Sequence, residues 1–267
     1  MPAARPVAVV VRTLKILRAL NFQPVSTLDR IHKQTGIPKP TIVRLLQTLQ
    51  SEGLVRRAPQ YGAYYLTSEV TALSCGYHSE PRIVEASSGI LDGLTELLKW
   101  PVSVATHDGN AMIVRYSTIP HSTLSFFHST INMRLSLTSQ ALGRAFLAFC
   151  DPQAQDALID LLANTPVNQG GLDEVGVKAT RAMLAEVHER GYALRDPKVR
   201  PESSTIAVPV FEAERVVATI GLTWFTSTVK VAQAVEKFLP PLQEASAAIG
   251  LALAELSSTG NQGRAAT

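Results

Sequence analysis

At 267 residues, 46% of them apolar and only 18% charged, the chain is too hydrophobic for an intrinsically disordered protein and long enough for two ordinary domains. Its formal charge of +3 hides an asymmetry: residues 1–62 hold ten basic side chains against two acidic ones, a local +8, and the remainder holds 15 basic against 20 acidic. That division excludes a uniformly charged, solvating chain and predicts a polyanion-binding module joined to a larger part with a different task.

From the N-terminus, Val10, Val11, Leu14, Ile16, Leu17 and Leu20 recur at helical spacing until Pro24. A short second helix is expected to begin with Ser26 as its N-cap and Asp29 in a capping-box position, and to end at Gly36. Pro40 suits the first turn of a third helix, in which Ile42, Val43, Leu45, Leu46 and Leu49 form an apolar face that stops before Gly53. Two short helices joined by a glycine turn make a helix-turn-helix. Leu54–Arg57 and Ala63–Leu66, on either side of a turn at 59–62, read as a β-hairpin, so residues 1–66 are expected to form a winged helix-turn-helix.

On the third helix, Thr41, Arg44 and Gln47 fall away from the apolar stripe, where such a helix enters the major groove. Arg44 suits guanine edges or phosphate, Gln47 suits adenine, and the Thr41 hydroxyl suits either a base edge or a phosphate. Lys39 at the helix start and Arg56 and Arg57 at the hairpin base add sequence-independent phosphate attraction. With Thr27 at the start of helix two and Pro40 at the start of helix three, these are the expected DNA contacts.

Residues 67–81 have weak helical character, end at Pro81 and are expected to form a linker helix. Residues 82–258 then alternate. Ile83–Leu98 is a helix stopped by Trp100-Pro101, and three strands are expected at Val102–Thr106, Ala111–Ser117 and Leu124–His128. Helices at Ala141–Phe149, Gln153–Ala163 and Val175–Arg190 precede strands at Ser204–Phe211 and Arg215–Phe225. A terminal helix runs from about Val229 to Leu256, interrupted or bent at Pro240-Pro241, and residues 259–267 are expected to be a disordered tail. Hairpins flanked by helices indicate an α+β domain with an antiparallel sheet.

Motifs of chemistry are missing from this second part. Glycine-rich phosphate loops, zinc-protease and α/β-hydrolase signatures do not occur, and no pair of histidines has metal spacing on one helix, so neither a catalytic residue nor a metal site nor a cofactor is assigned. His107-Asp108 has the makings of a base and its orienting acid, but its place beside a turn favours ordinary solvated polarity. Cys150, without a basic neighbour in sequence, reads as a buried or capping thiol. Two cysteines with no paired spacing, no signal-peptide pattern and no long apolar run point to a cytoplasmic protein with no membrane partner.

The run Gly36-Ile37-Pro38-Lys39-Pro40-Thr41-Ile42-Val43-Arg44-Leu45-Leu46-Gln47-Thr48-Leu49, followed by Glu52-Gly53, resembles the recognition-helix signature of IclR-type bacterial transcriptional regulators. Ser139-Gln140-Ala141-Leu142-Gly143-Arg144-Ala145-Phe146-Leu147-Ala148, Arg190-Gly191-Tyr192 and Ile206-Ala207-Val208-Pro209-Val210 extend the resemblance over about residues 9–255. Within that family the chain resembles the activators of 3-hydroxyphenylpropionate catabolic operons, through Trp100-Pro101, Asp108–Arg115, Leu124–His128 and Glu236–Gln243. It departs at Pro40, where the family usually has serine, and at Asn132, where glycine is common.

The resemblance implies a GAF-like effector-binding domain for a small, here aromatic, organic acid, and homodimers or homotetramers that bind double-stranded operators with inverted half-sites. It implies an effector between the segment of Met133, Arg134, Ala141 and Leu142 and the sheet around Thr205, Gly221 and Thr223, with Arg195 near the entrance. Such a pocket needs apolar walls, for which Met133, Leu142 and Phe126 are candidates, and a cation against the carboxylate, for which Arg134 and Arg195 are candidates. The competing readings are a regulator of the same type that senses a non-aromatic acid, an enzyme with an accessory DNA-binding domain, and an architectural DNA protein.

Overall fold

The computed structural model describes residues 6–73, 81–122, 124 and 130–264. Apart from Leu124, the expected strand at Leu124–His128, with Phe126, lies outside the described residues. The chain divides into two compact units, one comprising residues 1–79, the other Glu80–Phe126 and Thr130–Thr267.

In the first unit, helix α1 (Ala8–Phe22), α2 (Leu28–Thr35) and α3 (Lys39–Ser51) close on a small core of Ile16, Leu20, Ile31, Ile42, Leu46, Leu49 and Val55. The α2–α3 turn depends on Gly36, which adopts φ 69°, a left-handed conformation that costs glycine nothing and a branched residue a great deal. The hairpin strands β2 (Val55–Ala58) and β3 (Ala63–Leu66) gain a third member, the two-residue β1 (Ser26–Thr27), giving the order β1-β3-β2. That pairing corrects the helix start. Ser26 is drawn into the sheet and its hydroxyl donates to the Gln23 carbonyl, so Thr27 becomes the N-cap of α2 and accepts from the Arg30 N–H at 3.4 Å. Of the expected linker helix, the described part is helical over α4 (Glu69–Ala72), and residues 74–80 lie outside the described ones.

The second unit carries α5 (Pro81–Leu98), β4 (Val102–Asp108), β5 (Ala111–Ser117), β6 (Arg134–Ser136), α6 (Ala141–Phe149), α7 (Pro152–Ala163), α8 (Glu174–Arg190), β7 (Ala193–Leu194), β8 (Ser203–Glu212), β9 (Arg215–Phe225) and α9 (Val231–Arg264). All strand pairings are antiparallel, in the order β6-β5-β4-β9-β8-β7, which makes the fold an α+β architecture. The edge strands β6 and β7 are only three and two residues long, too short for an alternation pattern to reveal. Helices α7 and α8 begin where Asp151 and Asp173 cap the backbone N–H groups of Ala154 and Gly176. Pro240 and Pro241 do not end α9, which continues to Arg264 through the residues expected to be a disordered tail. Its last turns are anchored by Ser257, whose hydroxyl donates to the Leu253 carbonyl and to Glu212, and propagating an established helix costs little per residue. No helix among the described residues is long and apolar enough to cross a membrane.

Strand alternation gives the sheet two different faces. Ile206, Val208, Val210, Ala218, Ile220, Leu222 and Trp224 pack with Leu91 and Leu94 of α5 and Phe238, Leu242 and Ile249 of α9. The opposite face presents Ala105 and Ala207 to a second core formed with α6, α7 and α8. There Gly143 of α6 crosses the segment before it so closely that an added Cβ would lie 2.2 Å from the Ser136 carbonyl oxygen and 2.6 Å from the Leu137 Cα. Because both are backbone atoms, Gly143→Ala is expected to lower the unfolding free energy by about 1–3 kcal/mol, the cost of overpacking a close contact. Urea denaturation checks this, and an unchanged midpoint would show that the α6 start can shift freely.

Candidate functional site

The exposed face of α3 is what the first unit offers a polyanion. With Ile42, Leu46 and Leu49 buried, helical spacing puts Pro40, Arg44 and Gln47 in one stripe on the opposite side, all exposed. Thr41 lies on the flank and is half-buried, since it is one residue from Ile42 rather than opposite it. Lys39 is committed locally: its ammonium is 2.5 Å from the Asp29 carboxylate, which the contact holds below the usual carboxylate range. Thr27 is exposed and occupied as the α2 cap. Arg56 and Arg57 are both exposed, but as neighbours on one strand, opposite Tyr65 and Tyr64, they project from opposite faces of the wing.

In the second unit, Thr205, Gly221 and Thr223 lie together on the central strands, with the Thr205 and Thr223 hydroxyls 2.8 Å apart. Ala141 and Leu142 of α6 are buried, and a Cβ on Gly221 would stand 3.2 Å from Leu142 Cγ. The small side chains of the sheet therefore receive Leu142 directly. Met133 is half-buried against the α6 core, its carbonyl accepting from the Val114 N–H.

The two candidate arginines part company. Arg134 is on edge strand β6, exposed, and turned toward the β4–β5 turn, donating to Asn110 at 2.9 Å and lying 3.6 Å from Asp108. Arg195 follows β7 at the other edge of the sheet, and its backbone N–H donates to the Thr205 carbonyl. Its side chain is 9% exposed and donates to the Ser203 carbonyl and hydroxyl, the latter at 2.7 Å. Among the described residues no carboxylate comes within ion-pair distance of it. Burial first, and Arg200 second, pull its pKa down to about 10 against the opposing effect of Glu202, which leaves it a cation at neutral pH.

Residue spacing gave no sign of Arg144. Its half-buried guanidinium donates to the Thr138 carbonyl at 2.6 Å, the Leu194 carbonyl at 3.0 Å and Asp196 at 3.3 Å, tying the start of α6 to the segment that carries Arg195. The partners lie more than fifty residues apart in the chain, beyond any local pattern. His107 and Asp108 do not form an acid–base pair. The His107 ring bonds the Gly109 carbonyl at 2.7 Å and stacks on Phe146, because neighbours on a strand point to opposite faces.

A winged helix-turn-helix unit followed in the chain by an α+β unit with an antiparallel sheet is the build of a ligand-responsive transcriptional regulator. Residues 9–59 match the IclR helix-turn-helix domain and residues 75–251 the bacterial transcriptional regulator IclR C-terminal domain, so the chain belongs to the IclR family. It is similar to the HTH-type transcriptional regulator XynR of Escherichia coli strain K12, with 28% identity over 244 residues that cover 91% of this chain and 95% of that protein. It is similar also to the Pca regulon regulatory protein of Pseudomonas putida, 24% identical over 226 residues, covering 82% and 75% respectively. The fold is shared with an IclR homologue from Microbacterium hydrocarbonoxydans solved in complex with 4-hydroxybenzoate, at TM-score 0.63 and 19% identity over 92% of this chain and 99% of that one. The protein is a transcriptional regulator.

Cys150 is a partly buried thiol in the structure, as its sequence neighbours lead one to expect. It ends α6 half-buried, its thiol directed at the Leu147 carbonyl, and burial, helped by Asp151, pushes its pKa up to about 11. A thiol raised from about 8.5 stays protonated in the folded chain while the unfolded chain ionises, so its contribution is present below that value and is lost as pH rises toward about 11. Chemical denaturation between pH 8 and 11 is expected to show a loss of stability that Cys150→Ala lacks; identical profiles would count against the burial effect.

Proposed function

We propose that the protein regulates a catabolic operon in response to a small aromatic acid such as a hydroxyphenylpropionate, acting as an activator. The observation that carries this reading is Arg195, a buried guanidinium with no carboxylate partner among the described residues, beside the threonine and glycine surface of β8 and β9. Thr205 and Thr223 supply hydroxyls, Gly221 lets Leu142 approach the sheet, and Ala141, Leu142 and Met133 supply apolar walls; Phe126, the other expected wall, lies outside the described residues. Arg195 rather than Arg134 anchors the carboxylate, because an exposed guanidinium already facing Asp108 contributes little in water. The Pca regulon relative and the 4-hydroxybenzoate complex support the aromatic class. A thermal-shift screen of benzoates, phenylpropionates and aliphatic acids tests it, since a ligand at about 100 times its dissociation constant stabilises by about 2.7 kcal/mol. Arg195→Ala is expected to abolish that shift while leaving operator binding intact, and Arg134→Ala to keep both. An unchanged shift in Arg195→Ala would remove the anchor.

For DNA, Arg44, Gln47 and Thr41 read base edges, Pro40 packs against the backbone, and Lys39, Thr27, Arg56 and Arg57 serve the phosphates. One recognition helix reads too little sequence to find a unique site, so a homodimer or homotetramer on inverted half-sites follows. Arg44→Ala is expected to cost about 1–3 kcal/mol and relax preference at one position of each half-site, whereas Arg56→Ala weakens all sequences alike and flattens the salt dependence. Footprinting and salt-titrated binding check both, and a normal footprint with Arg44→Ala would sink α3 as the reading element.

A further inference from the structure

The sheet of the second unit forks. The β4–β9 ladder runs only from Val102↔Leu222 to Ala105↔Thr219. Beyond it β4 stays paired with β5 as far as Asp108↔Ala111, and β9 with β8 as far as Glu212↔Arg215. Each of these outer ladders has a bulge at the level of the parting. Arg115 is the extra residue between Tyr116 and Val114, and Val217 the extra residue between Ala218 and Val216. A bulge bends its strand and sharpens the twist, so two bulges at one level swing the hairpins apart.

The notch opens to both faces of the sheet. A cavity of about 1130 Å³ lies on the α6 side and one of about 570 Å³ on the α5/α9 side, and both are lined by His107, Phe146, Arg215 and Val216. Phe146 and His107 are stacked on each other, ring centroids 4.5 Å apart and planes 10° apart, so the pair offers the notch its ring edges and the outer face of His107. Arg215 is exposed and has no carboxylate within ion-pair distance among the described residues. Arg82 faces the smaller cavity and donates to Glu212, at 2.7 Å, and to Ser257. At the last rung, Thr219 is fully buried with no hydrogen-bond partner for its hydroxyl, a feature that a closed core rarely leaves in place.

We propose that this fork is a second small-molecule site, for a planar aromatic carboxylate whose ring packs against the stacked Phe146–His107 pair and whose carboxylate meets Arg215. It does not rest on the effector pocket at Arg195, which is reached from β7 and β8. A carboxylate bound here competes with Glu212 for Arg82, the second residue of α5, and so alters how the start of that helix is held to the β8–β9 turn.

Calorimetry of the full chain with benzoate, in wild type and three variants, tests the proposal. Gly221→Val crowds the Thr205 surface, where its Cβ meets Leu142 and the Ile206 carbonyl at 3.2 Å. Arg215→Glu reverses the exposed charge, and Val216→Trp fills the notch. The wild type is expected to bind two benzoates per chain and Gly221→Val one, with the retained affinity lowered at least tenfold by Arg215→Glu and lost in Val216→Trp. Should Val216→Trp fail to fold, as read by circular dichroism, Arg215→Glu alone decides. The proposal is overturned if benzoate does not bind, if Gly221→Val removes all binding, or if the retained site is indifferent to Arg215→Glu. Loss of the Arg195 pocket alone is distinguishable, because it leaves one site that still responds to Arg215→Glu.

Discussion

The structure of the larger unit depends on one constraint, the alternation of side chains along β8 and β9. Consecutive residues must face opposite sides of the sheet, and here one side is large and the other small: Ile206, Val208, Ile220, Leu222 and Trp224 against Thr205, Ala207, Thr219, Gly221 and Thr223. Each large side chain fully buried beneath α5 and α9 contributes roughly 1.5–3 kcal/mol, so that face is a major source of cohesion. The other face gives up some of that burial. In exchange it carries the Thr205 and Thr223 hydroxyls, which bond each other at 2.8 Å, and a glycine surface on which Leu142 of α6 packs closely.

Arg144, half-buried, and Arg195, buried, show how differently two enclosed arginines are partnered. Arg144 has three acceptors, one of them the Asp196 carboxylate, and works as a strut between α6 and the 194–196 segment. Arg195, one residue away from both of those partners, has Ser203 alone and faces Arg200. Burying a guanidinium beside a like charge is costly, and the Ser203 hydrogen bonds and the Glu202 charge offset only part of that cost. In the smaller unit the same logic sorts the basic residues: Lys39 is tied to Asp29, while Arg44, Arg56 and Arg57 are exposed and carry the positive field outward.

The fork between β4 and β9 adds a different kind of opening. It arises from backbone geometry, because the two bulges bend whole hairpins, and so it persists whatever side chains line it. The buried, unpartnered Thr219 hydroxyl marks where the closed part of the sheet ends.

Much of this was legible in the amino-acid sequence because local physics dictated it. Periodicity and turn chemistry set the bounds of Ala111–Ser117, Ala141–Phe149 and Arg215–Phe225, and the concentration of basic residues before position 62 marked the DNA-facing unit. What escaped depended on partners distant in the chain. Thr27 rather than Ser26 caps α2 because a strand forty residues away claims Ser26, and β6 and β7 exist only as additions to strands already formed. A bulge is defined by the strand opposite, and an arginine's role by its burial and its neighbours. Composition and spacing thus determined which elements form and which charges are available; only the tertiary structure decided that Arg195 is enclosed while Arg134 faces water, because burial is a property of the packed chain and not of any segment of it.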